Sequence, residues 1–407
     1  MGRRRRMARW AAASGRMADC QSFRRSADPQ GKAQGNGMTT QNRRPGHRRV
    51  LMTVDAVGGV WSYAMDLAAG LKPRHVEVVF AGLGPRPTAE KIAEANRLGT
   101  LVWLEAPLDW MAGYEAAVAE VPRLIADLAR RKKVDFLHLN LPSQAAGIET
   151  DLPVIVVCHS CVVTWFAAVR AAKVPRDWQW QYRLNQAGFA RADAVIAPSG
   201  SHSAAMAAAY GPIANLSVVY NSAALKPSSE TKQNFVLAAG RWWDEGKNGA
   251  VLDAAAGLTR WPLKVAGANR GPDGQYLPFR NADHLGELSR ERMMVLARQA
   301  AIVVSPSVYE PFGLAALEAA RAGAALVLSD IPTYREIWND AALFVDPHQP
   351  KAFAHAFNRL ADDPQQRVAL GLKAQERSAR FSLEGQAQAM YAIYSGRLGH
   401  AFSTAAE

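Results

Sequence analysis

Two glutamates, Glu310 and Glu318, stand eight positions apart in SPSVYEPFGLAALEAARAG, which passes from a strand through a loop into a helix. At ~1.5 Å of rise per residue they are up to roughly 12 Å apart, too far to share a proton but suited to hydroxyl groups on two parts of one long ligand. The helix that Gly313 opens begins with unpaired backbone N–H groups, which favour an anion. For Glu318 alone, a solvated position on an amphipathic helix is the competing interpretation, and the complete segment weighs against it.

A second segment, AAGRWWDEGKN, places Arg241 and Lys247 directly after an apolar strand. A guanidinium fork and a point-like ammonium at one strand end can together hold a diphosphate. The alternative interpretation is that Arg241 and Lys247 are two surface cations that bind no ligand, as most surface lysines and arginines are. The carboxyl end of a parallel strand is where α/β folds bind ligands, so the position favours the diphosphate.

Two further positions follow predicted strands. Gly58 and Gly59 lie between RRVLMTVD and a helix, where a backbone without side chains can approach a phosphate or a sugar, although turns need glycine anyway. His159 follows the buried strand PVIVVC and is a candidate hydrogen-bonding or acid–base group, the alternative being a histidine satisfied at a strand end.

The three cysteines are Cys20, Cys158 and Cys161. A low, odd number in a long chain argues against a disulfide scaffold and for a reducing compartment, so we expect a cytoplasmic protein. Cys158-His-Ser-Cys161 has the spacing of a redox or zinc motif, but no second pair supplies further zinc ligands, and the motif is disfavoured. We find no acidic cluster typical of a divalent-metal site, and we expect no metal and no cofactor.

The net charge of +12 over 407 residues comes from one end of the chain. Residues 1–49 hold thirteen basic and two acidic side chains, which leaves thirty-five basic and thirty-four acidic side chains in residues 50–407. A nearly neutral body disfavours a nucleic-acid partner. No apolar run approaches the ~18–20 residues that span a bilayer. The basic segment is interpreted either as a tether to the inner face of a membrane or as a start assigned upstream of Met38.

Apolar runs of strand length alternate with helical segments from residue 48 onward. Such alternation predicts parallel sheets covered by helices on both faces. The first helix shows helical spacing of its apolar residues Trp61, Ala64, Leu67, Ala68 and Leu71. The alternation restarts after the polar segment VVYNSAALKPSSETKQN. We predict two Rossmann-like parallel-sheet domains facing each other across a ligand cleft.

The predicted boundaries follow from these changes of pattern. Residues 1–47 are a basic disordered tail or a misassigned start, and residues 48–222 form an N-terminal Rossmann-like domain. Residues 223–378 form a C-terminal Rossmann-like domain. Residues 379–407 form a crossover helix that returns to the N-terminal domain, and a tail.

Taken together, residues 48–400 resemble the family 4 glycosyltransferases of the GT-B fold. The spacing of Glu310 and Glu318 carries most of the resemblance, and the Gly-Arg…Lys pair, the early Gly-Gly, LGELS and FVDP occur in the expected order. The resemblance implies a retaining, metal-independent enzyme of the hexosyltransferase type. Its co-substrate would be a nucleotide-diphosphate sugar bound by the domain of residues 223–378. Its acceptor, on the side of the domain of residues 48–222, would be a glycan, lipid or small molecule, as in polysaccharide biosynthesis.

The resemblance implies roles for the residues of the glutamate segment. Glu318 would bind the ribose hydroxyls of the donor, and Glu310 would hold the hydroxyls of the transferred sugar. Backbone groups of Phe312, Gly313 and Leu314 would contact the sugar and the distal phosphate.

It implies roles for the other positions as well. Arg241 and Lys247 would stabilise the diphosphate leaving group, and Gly58 and Gly59 would face it from the other domain. His159 would hydrogen-bond the donor sugar. Because negative charge builds on the leaving diphosphate, fixed cations and helix N–H groups can supply the stabilisation otherwise given by a metal.

Two points stay open in the sequence. A nucleotide-sugar 2-epimerase on the same scaffold is the alternative function, since its donor pocket would be similar. The segment VVYNSAALKP carries Asn221-Ser222 where the family usually has Asn-Gly, which weakens any role assigned to that loop. The sequence shows no pattern that identifies the base, the sugar or the acceptor.

Overall fold

The computed structural model describes residues 47–403 apart from residue 273, with side chains described up to residue 397. The interpretations of the basic N-terminal segment and of the last four residues therefore fall outside the described residues. From Arg48 onward the chain forms one unit. Within it, two open parallel sheets, each with helices packed against it, define a first and a second domain.

The first domain is built on seven parallel strands in the order β3-β2-β1-β4-β5-β6-β7. Strands β1 and β4–β6 are mostly apolar and are wholly buried from their third residue at the latest, as expected for a sheet covered on both faces. The seven strands are β1 (Arg48–Asp55), β2 (Val76–Leu83), β3 (Gly99–Trp103), β4 (Phe136–Leu139), β5 (Val154–Val157), β6 (Ala194–Ala197) and β7 (Leu216–Val218).

Six α-helices connect these strands. The predicted apolar face of the first helix is confirmed, because Trp61, Ala64, Leu67, Ala68 and Leu71 are all buried against the sheet. The helices are α1 (Gly59–Leu71), α2 (Ala89–Leu98), α3 (Val121–Lys132), α4 (Val162–Arg170), α5 (Gln179–Arg191) and α6 (Gly200–Tyr210), and short 3₁₀ turns include Asp109–Met111 and Pro142–Ala145.

The second domain repeats the plan with six parallel strands in the order β10-β9-β8-β11-β12-β13. Its strands are β8 (Gln233–Ala239), β9 (Leu263–Ala266), β10 (Asp283–Gly286), β11 (Ala300–Ser305), β12 (Ala325–Ser329) and β13 (Leu343–Val345). Its helices are α7 (Gly249–Ala256), α8 (Arg290–Gln299), α9 (Leu314–Arg321), α10 (Pro332–Trp338), α11 (Pro350–Asp362) and α12 (Pro364–Ser378), and a 3₁₀ turn spans Glu245–Lys247.

The last helix, α13 (Leu383–Ser403), packs on the first domain. Ala387, Met390 and Tyr394 are buried in the same apolar cluster as α1 and β1. A methyl group at Gly70 would lie 2.8 Å from Cβ of Ala387, so glycine lets α1 and α13 approach closely. The predicted fold class, two Rossmann-like domains with a C-terminal helix that returns to the first, is confirmed.

Each sheet reverses its strand order once, between β1 and β4 in the first domain and between β8 and β11 in the second. Open α/β sheets bind ligands beyond the carboxyl ends of the strands at such a reversal. The loops that leave β1, β8 and β11 are the ones that carry Gly58, Arg241 and Glu310. The topology therefore brings three separate sequence segments to the ligand-binding edges of the two sheets.

Candidate functional site

The loop after β1 meets the loop after β8 across the two domains. A methyl group added at Gly58 would lie 3.2 Å from Nη1 of Arg241, and one added at Gly59 would lie 3.4 Å from Cδ1 of Leu314. The two glycines thus allow the start of α1 to approach the candidate cation and the start of α9. The structure brings these four predicted residues together.

The turn before α1 is held by a buried carboxylate. Oδ1 of Asp55 accepts hydrogen bonds from the backbone N–H of Val57 at 2.9 Å and of Gly58 at 3.2 Å. Burial raises the pKa of Asp55, and the Val57 hydrogen bond and Arg241 partly oppose this rise. The carboxylate therefore sets the geometry of the glycine turn that faces Arg241.

Lys247 and Glu310 form an ion pair, with Nζ of Lys247 2.5 Å from Oε2 of Glu310. Their side chains are only 19% and 16% exposed. Lys247 ends the 3₁₀ turn after β8, and Glu310 lies in the loop after β11, so the adjacency of these two strands produces the contact. The resemblance to the family assigns Lys247 to the diphosphate of the donor and Glu310 to its sugar.

The segment between Glu310 and α9 makes a sharp turn at Gly313, whose φ is +95°. A methyl group there would also lie 2.8 Å from Cε1 of Tyr334, so both backbone and packing require glycine. Phe312 is buried, and Oγ of Ser199 in the first domain donates a 2.6 Å hydrogen bond to the carbonyl of Pro311. The loop is thus positioned by contacts from both domains.

Glu318 is half-buried in the middle of α9. Its carboxylate makes no hydrogen bond or ion pair within the described part of the chain. Burial raises its pKa to about 7; Arg290 opposes the rise, and the charge of Asp66 adds to it. A carboxylate without a protein partner is available to a ligand that donates hydrogen bonds.

Arg290, at the start of α8, links the domains near this carboxylate. Its guanidinium contacts Asp66 on α1 at 2.7 Å and Glu94 on α2 at 3.2 Å. The other oxygen of Asp66 accepts a 3.0 Å hydrogen bond from the backbone N–H of Ala224 in the interdomain segment. Burial raises the pKa of Asp66. These contacts fasten α1 to the second domain beside Glu318.

His159 is positioned by a buried chain of polar side chains. Its Nε2 lies 2.9 Å from Oδ1 of Asn140, which also lies 3.1 Å from Nε2 of His138. Nδ1 of His138 lies 2.6 Å from the hydroxyl of Tyr394 on α13. Burial lowers the pKa of His159 to about 3, and the nearby His138 and His202 add to this effect. At neutral pH the ring is therefore uncharged and suited to hydrogen bonding with a hydroxyl group.

Sequence reasoning had not identified His138, Asn140 or Tyr394. The strand DFLHLNL gave a signal, because two polar residues alternate with apolar ones in an otherwise buried run. Tyr394 gave none, since its contact with His138 joins residues 256 positions apart.

The two described cysteines are free thiols and buried. Sγ of Cys161 caps α4 by accepting a 3.4 Å hydrogen bond from the backbone N–H of Thr164. Although burial acts in the opposite direction, hydrogen bonds from Cys158 and Thr164 lower the pKa of Cys161 to about 6. In this structure Cys161 therefore caps a helix beside His159.

The departure Asn221-Ser222 has a structural explanation. The backbone of Ser222 keeps a negative φ, so this position does not need glycine. Its hydroxyl donates a 2.7 Å hydrogen bond to Oε1 of Gln386 on α13, and Nε2 of Gln386 lies 3.5 Å from Oδ1 of Asn221. The serine thus joins the interdomain segment to the crossover helix.

Neither a metal centre nor a membrane span is present in the described parts of the chain. There, no three histidine, cysteine, aspartate or glutamate side chains are grouped as an ion would require. None of the described helices combines the length and the hydropathy needed to cross a bilayer.

Two family models match adjoining parts of the chain and together extend from residue 57 to residue 377. The model described as Glycosyltransferase Family 4 matches residues 57–225, and the model described as Glycosyl transferases group 1 matches residues 226–377. Their border lies in the interdomain segment between β7 and β8.

A curated relative is the D-inositol 3-phosphate glycosyltransferase of Corynebacterium urealyticum, which is 33% identical over 106 residues. That alignment covers 26% of this chain and only 25% of the relative. Among solved structures, the sucrose-phosphate synthase of Thermosynechococcus elongatus superposes with a TM-score of 0.72 at 18% identity, covering 87% of this chain and all of that one. Anabaena HepE, solved in complex with UDP-glucose, superposes with a TM-score of 0.68 at 17% identity. The superposition covers 86% of this chain and all of HepE. These similarities confirm the fold.

Proposed function

Because the chain belongs to the family 4 glycosyltransferases, we propose that it transfers a sugar from a nucleotide-diphosphate sugar to an acceptor, with retention of anomeric configuration. The observation that carries the proposal is the meeting of the predicted donor residues at the strand-order reversals. Gly58 lies against Arg241, Gly59 lies against Leu314, and Lys247 pairs with Glu310. Sequence segments more than 250 residues apart thus form one polar site that is suited to a donor of this class.

The donor is proposed to lie along α9 and the loop before it. Glu318 accepts hydrogen bonds from the ribose hydroxyls, which its unpaired carboxylate supports. Glu310 holds hydroxyls of the transferred sugar, and the backbone of Phe312, Gly313 and Leu314 contacts the sugar and distal phosphate. Neutral His159 hydrogen-bonds the sugar from the first domain.

The departing diphosphate is proposed to be stabilised by Arg241 and Lys247. Negative charge increases on it as the glycosidic bond breaks, and preorganised cations lower the energy of that state in a site of restricted hydration. Lys247 also pairs with Glu310, so the cation proposed for the diphosphate is joined to the carboxylate proposed for the sugar. We expect no metal requirement.

Retention and the kind of reaction are tested together. UDP-, GDP- and ADP-sugars are incubated with the protein and with candidate glycan or lipid acceptors, and NMR records the anomeric configuration of the product. A product with the donor's configuration supports the proposal, and an inverted product contradicts it. Without acceptor, slow hydrolysis agrees with transfer, whereas formation of an epimeric nucleotide sugar would identify the epimerase alternative.

We propose a glycan or lipid-linked acceptor reached in the cytoplasm, with the basic residues 1–47 contacting an anionic membrane. Removal of residues 1–47 should leave turnover on a soluble acceptor unchanged and lower turnover on an acceptor embedded in anionic vesicles. Equal turnover of both forms on the vesicles would contradict the membrane role.

A further inference from the structure

Two tryptophan rings from opposite domains gather at the guanidinium of Arg241. Its Cζ lies 5.8 Å from the ring centroid of Trp110 in the first domain and 5.4 Å from that of Trp243 in the second. The two rings are stacked on each other, with centroids 6.4 Å apart and an angle of 21° between their planes. The cation and both rings therefore form one cluster that spans the domains.

Two other contacts of the guanidinium come from its own loop. Oδ2 of Asp244, three residues along the chain, lies 3.6 Å from Nη2 of Arg241, which is long for an ion pair, and Trp243 is two residues along the chain. A loop can move as a whole and carry such near neighbours with it. Trp110 provides a reference point outside the loop, in the opposite domain, and its ring attracts the cation through the ring quadrupole.

Trp110 itself is rigidly mounted. Oδ1 of the buried Asp109 accepts a 2.6 Å hydrogen bond from the backbone N–H of Trp110, and Oδ2 accepts a 2.5 Å hydrogen bond from Ser143. The backbone carbonyl of Asp109 accepts a 2.8 Å hydrogen bond from Nε2 of Gln181 on α5. The short 3₁₀ turn that carries Trp110 is thus fastened to two other segments of the first domain.

We propose that Trp110 is a positioning residue that orients Arg241 toward the donor diphosphate from the opposite domain. This inference rests on the proposed function. An aromatic ring contacts the face of a guanidinium and not its N–H groups, and the N–H groups are the ones that bind phosphate oxygens.

The test is a double-mutant cycle on nucleoside diphosphate binding. Calorimetry with UDP, GDP and ADP selects the diphosphate that the wild type binds most tightly, and that compound is the probe. Trp110→Leu should weaken its binding about 3- to 30-fold, in the range of one cation–ring contact. Trp110→Phe should restore most of the loss. In an Arg241→Ala background, Trp110→Leu should change affinity less than about twofold, because the cation it positions is absent.

Trp261→Leu is the matched control. It removes a similar contact, since Cζ of Arg367 lies 4.9 Å from the centroid of the Trp261 ring. Trp261 precedes β9, however, and so lies at the amino ends of the strands, away from the proposed site. This control should bind the probe like the wild type, and a thermal unfolding transition confirms that each variant is folded.

The outcomes separate the two proposals. A wild type that binds none of the three diphosphates overturns the proposed function and the role of Trp110 with it. A wild type that binds, with equal affinity in Trp110→Leu, overturns the role of Trp110 alone. The same loss from Trp110→Leu with and without Arg241 would also overturn it, because the ring would then act by another route.

Discussion

Nζ of Lys247 lies 2.5 Å from Oε2 of Glu310, so the cation proposed for the diphosphate and the carboxylate proposed for the sugar form an ion pair. Mutating one residue therefore also changes the electrostatics of the other.

Glu310→Gln should lower turnover while the affinity for the nucleoside diphosphate alone does not fall. The amide makes weaker hydrogen bonds to the sugar, but it no longer neutralises Lys247, whose charge is then fully available to phosphate. Calorimetry and turnover assays on the same preparation measure the two effects. Glu120→Gln, at an exposed position of the first domain, is the control. Unchanged turnover would remove Glu310 from the sugar site.

Glu318→Ala should weaken binding of the nucleoside diphosphate by about 1.5–3 kcal/mol, as expected for the loss of a charged hydrogen-bonding partner. The effect should already be present without any sugar on the nucleotide, because the carboxylate is proposed to bind the ribose. Calorimetry with the free nucleotide measures it. The exposed Glu291→Ala on α8 should have wild-type affinity. Equal affinity of Glu318→Ala and the wild type would contradict the assignment.

Glu318 should also introduce a pH dependence into stability. Its pKa is about 7 in the folded chain against 4.5 ordinarily, so the folded state binds the extra proton between these values and stability falls as pH rises through this window. Glu318→Gln stays neutral and should unfold at a higher temperature than the wild type at pH 8. Below about pH 4.5 the two proteins should unfold alike. Thermal scans from pH 4 to 8 with a constant difference would contradict a raised pKa.

Arg241 should be sensitive to its shape as well as to its charge. Arg241→Lys cannot form a bidentate contact with a diphosphate, and losing a positioned electrostatic donor costs on the order of 10²–10³ in turnover. Arg335→Lys changes a half-exposed arginine paired with Asp330 and should keep wild-type turnover.

Activity should persist in EDTA, because the proposed cations Arg241 and Lys247 stabilise the leaving diphosphate without a metal. Full inactivation by EDTA that Mg²⁺ or Mn²⁺ reverses would contradict the metal-independent mechanism.

Glu336 on α10 joins the two domains through its carboxylate. Its carboxylate accepts hydrogen bonds from the backbone N–H of Gly200 at 2.8 Å and of Ser201 at 2.6 Å, at the start of α6 in the first domain, and from the hydroxyl of Tyr220 at 2.9 Å. Desolvation opposes ionisation, but the Ser201 and Gly200 hydrogen bonds prevail and lower the pKa of Glu336.

Replacing Glu336 by Ala should destabilise the protein by about 1 kcal/mol at pH 7, because half-buried N–H donors lose a charged acceptor and solvent screens part of the effect. Because the folded pKa lies below the ordinary value of 4.5, this contribution is present above that pH and is lost as pH falls through the folded pKa. Denaturant unfolding at pH 7 and at pH 3 measures the difference. The exposed Glu376→Ala on α12 is the control, and an equally small effect of both variants would rule out the contribution.

The sequence alone determined the alternation of strands and helices, because burial on both faces of a parallel sheet requires continuous apolar runs that a local pattern reveals. It also placed Gly58, Arg241 and Glu310 at strand ends. The strands β7 and β13 were not predicted, since three residues are too short to show a period.

Tertiary structure alone decided which of these groups meet. The pair Lys247–Glu310, the contact of Glu336 with α6, and the contact of Tyr394 with His138 each join residues at least 63 positions apart. Such contacts follow from strand order and from the seating of one domain on the other. No local pattern encodes them, because a residue's own segment is satisfied equally well with or without the distant partner.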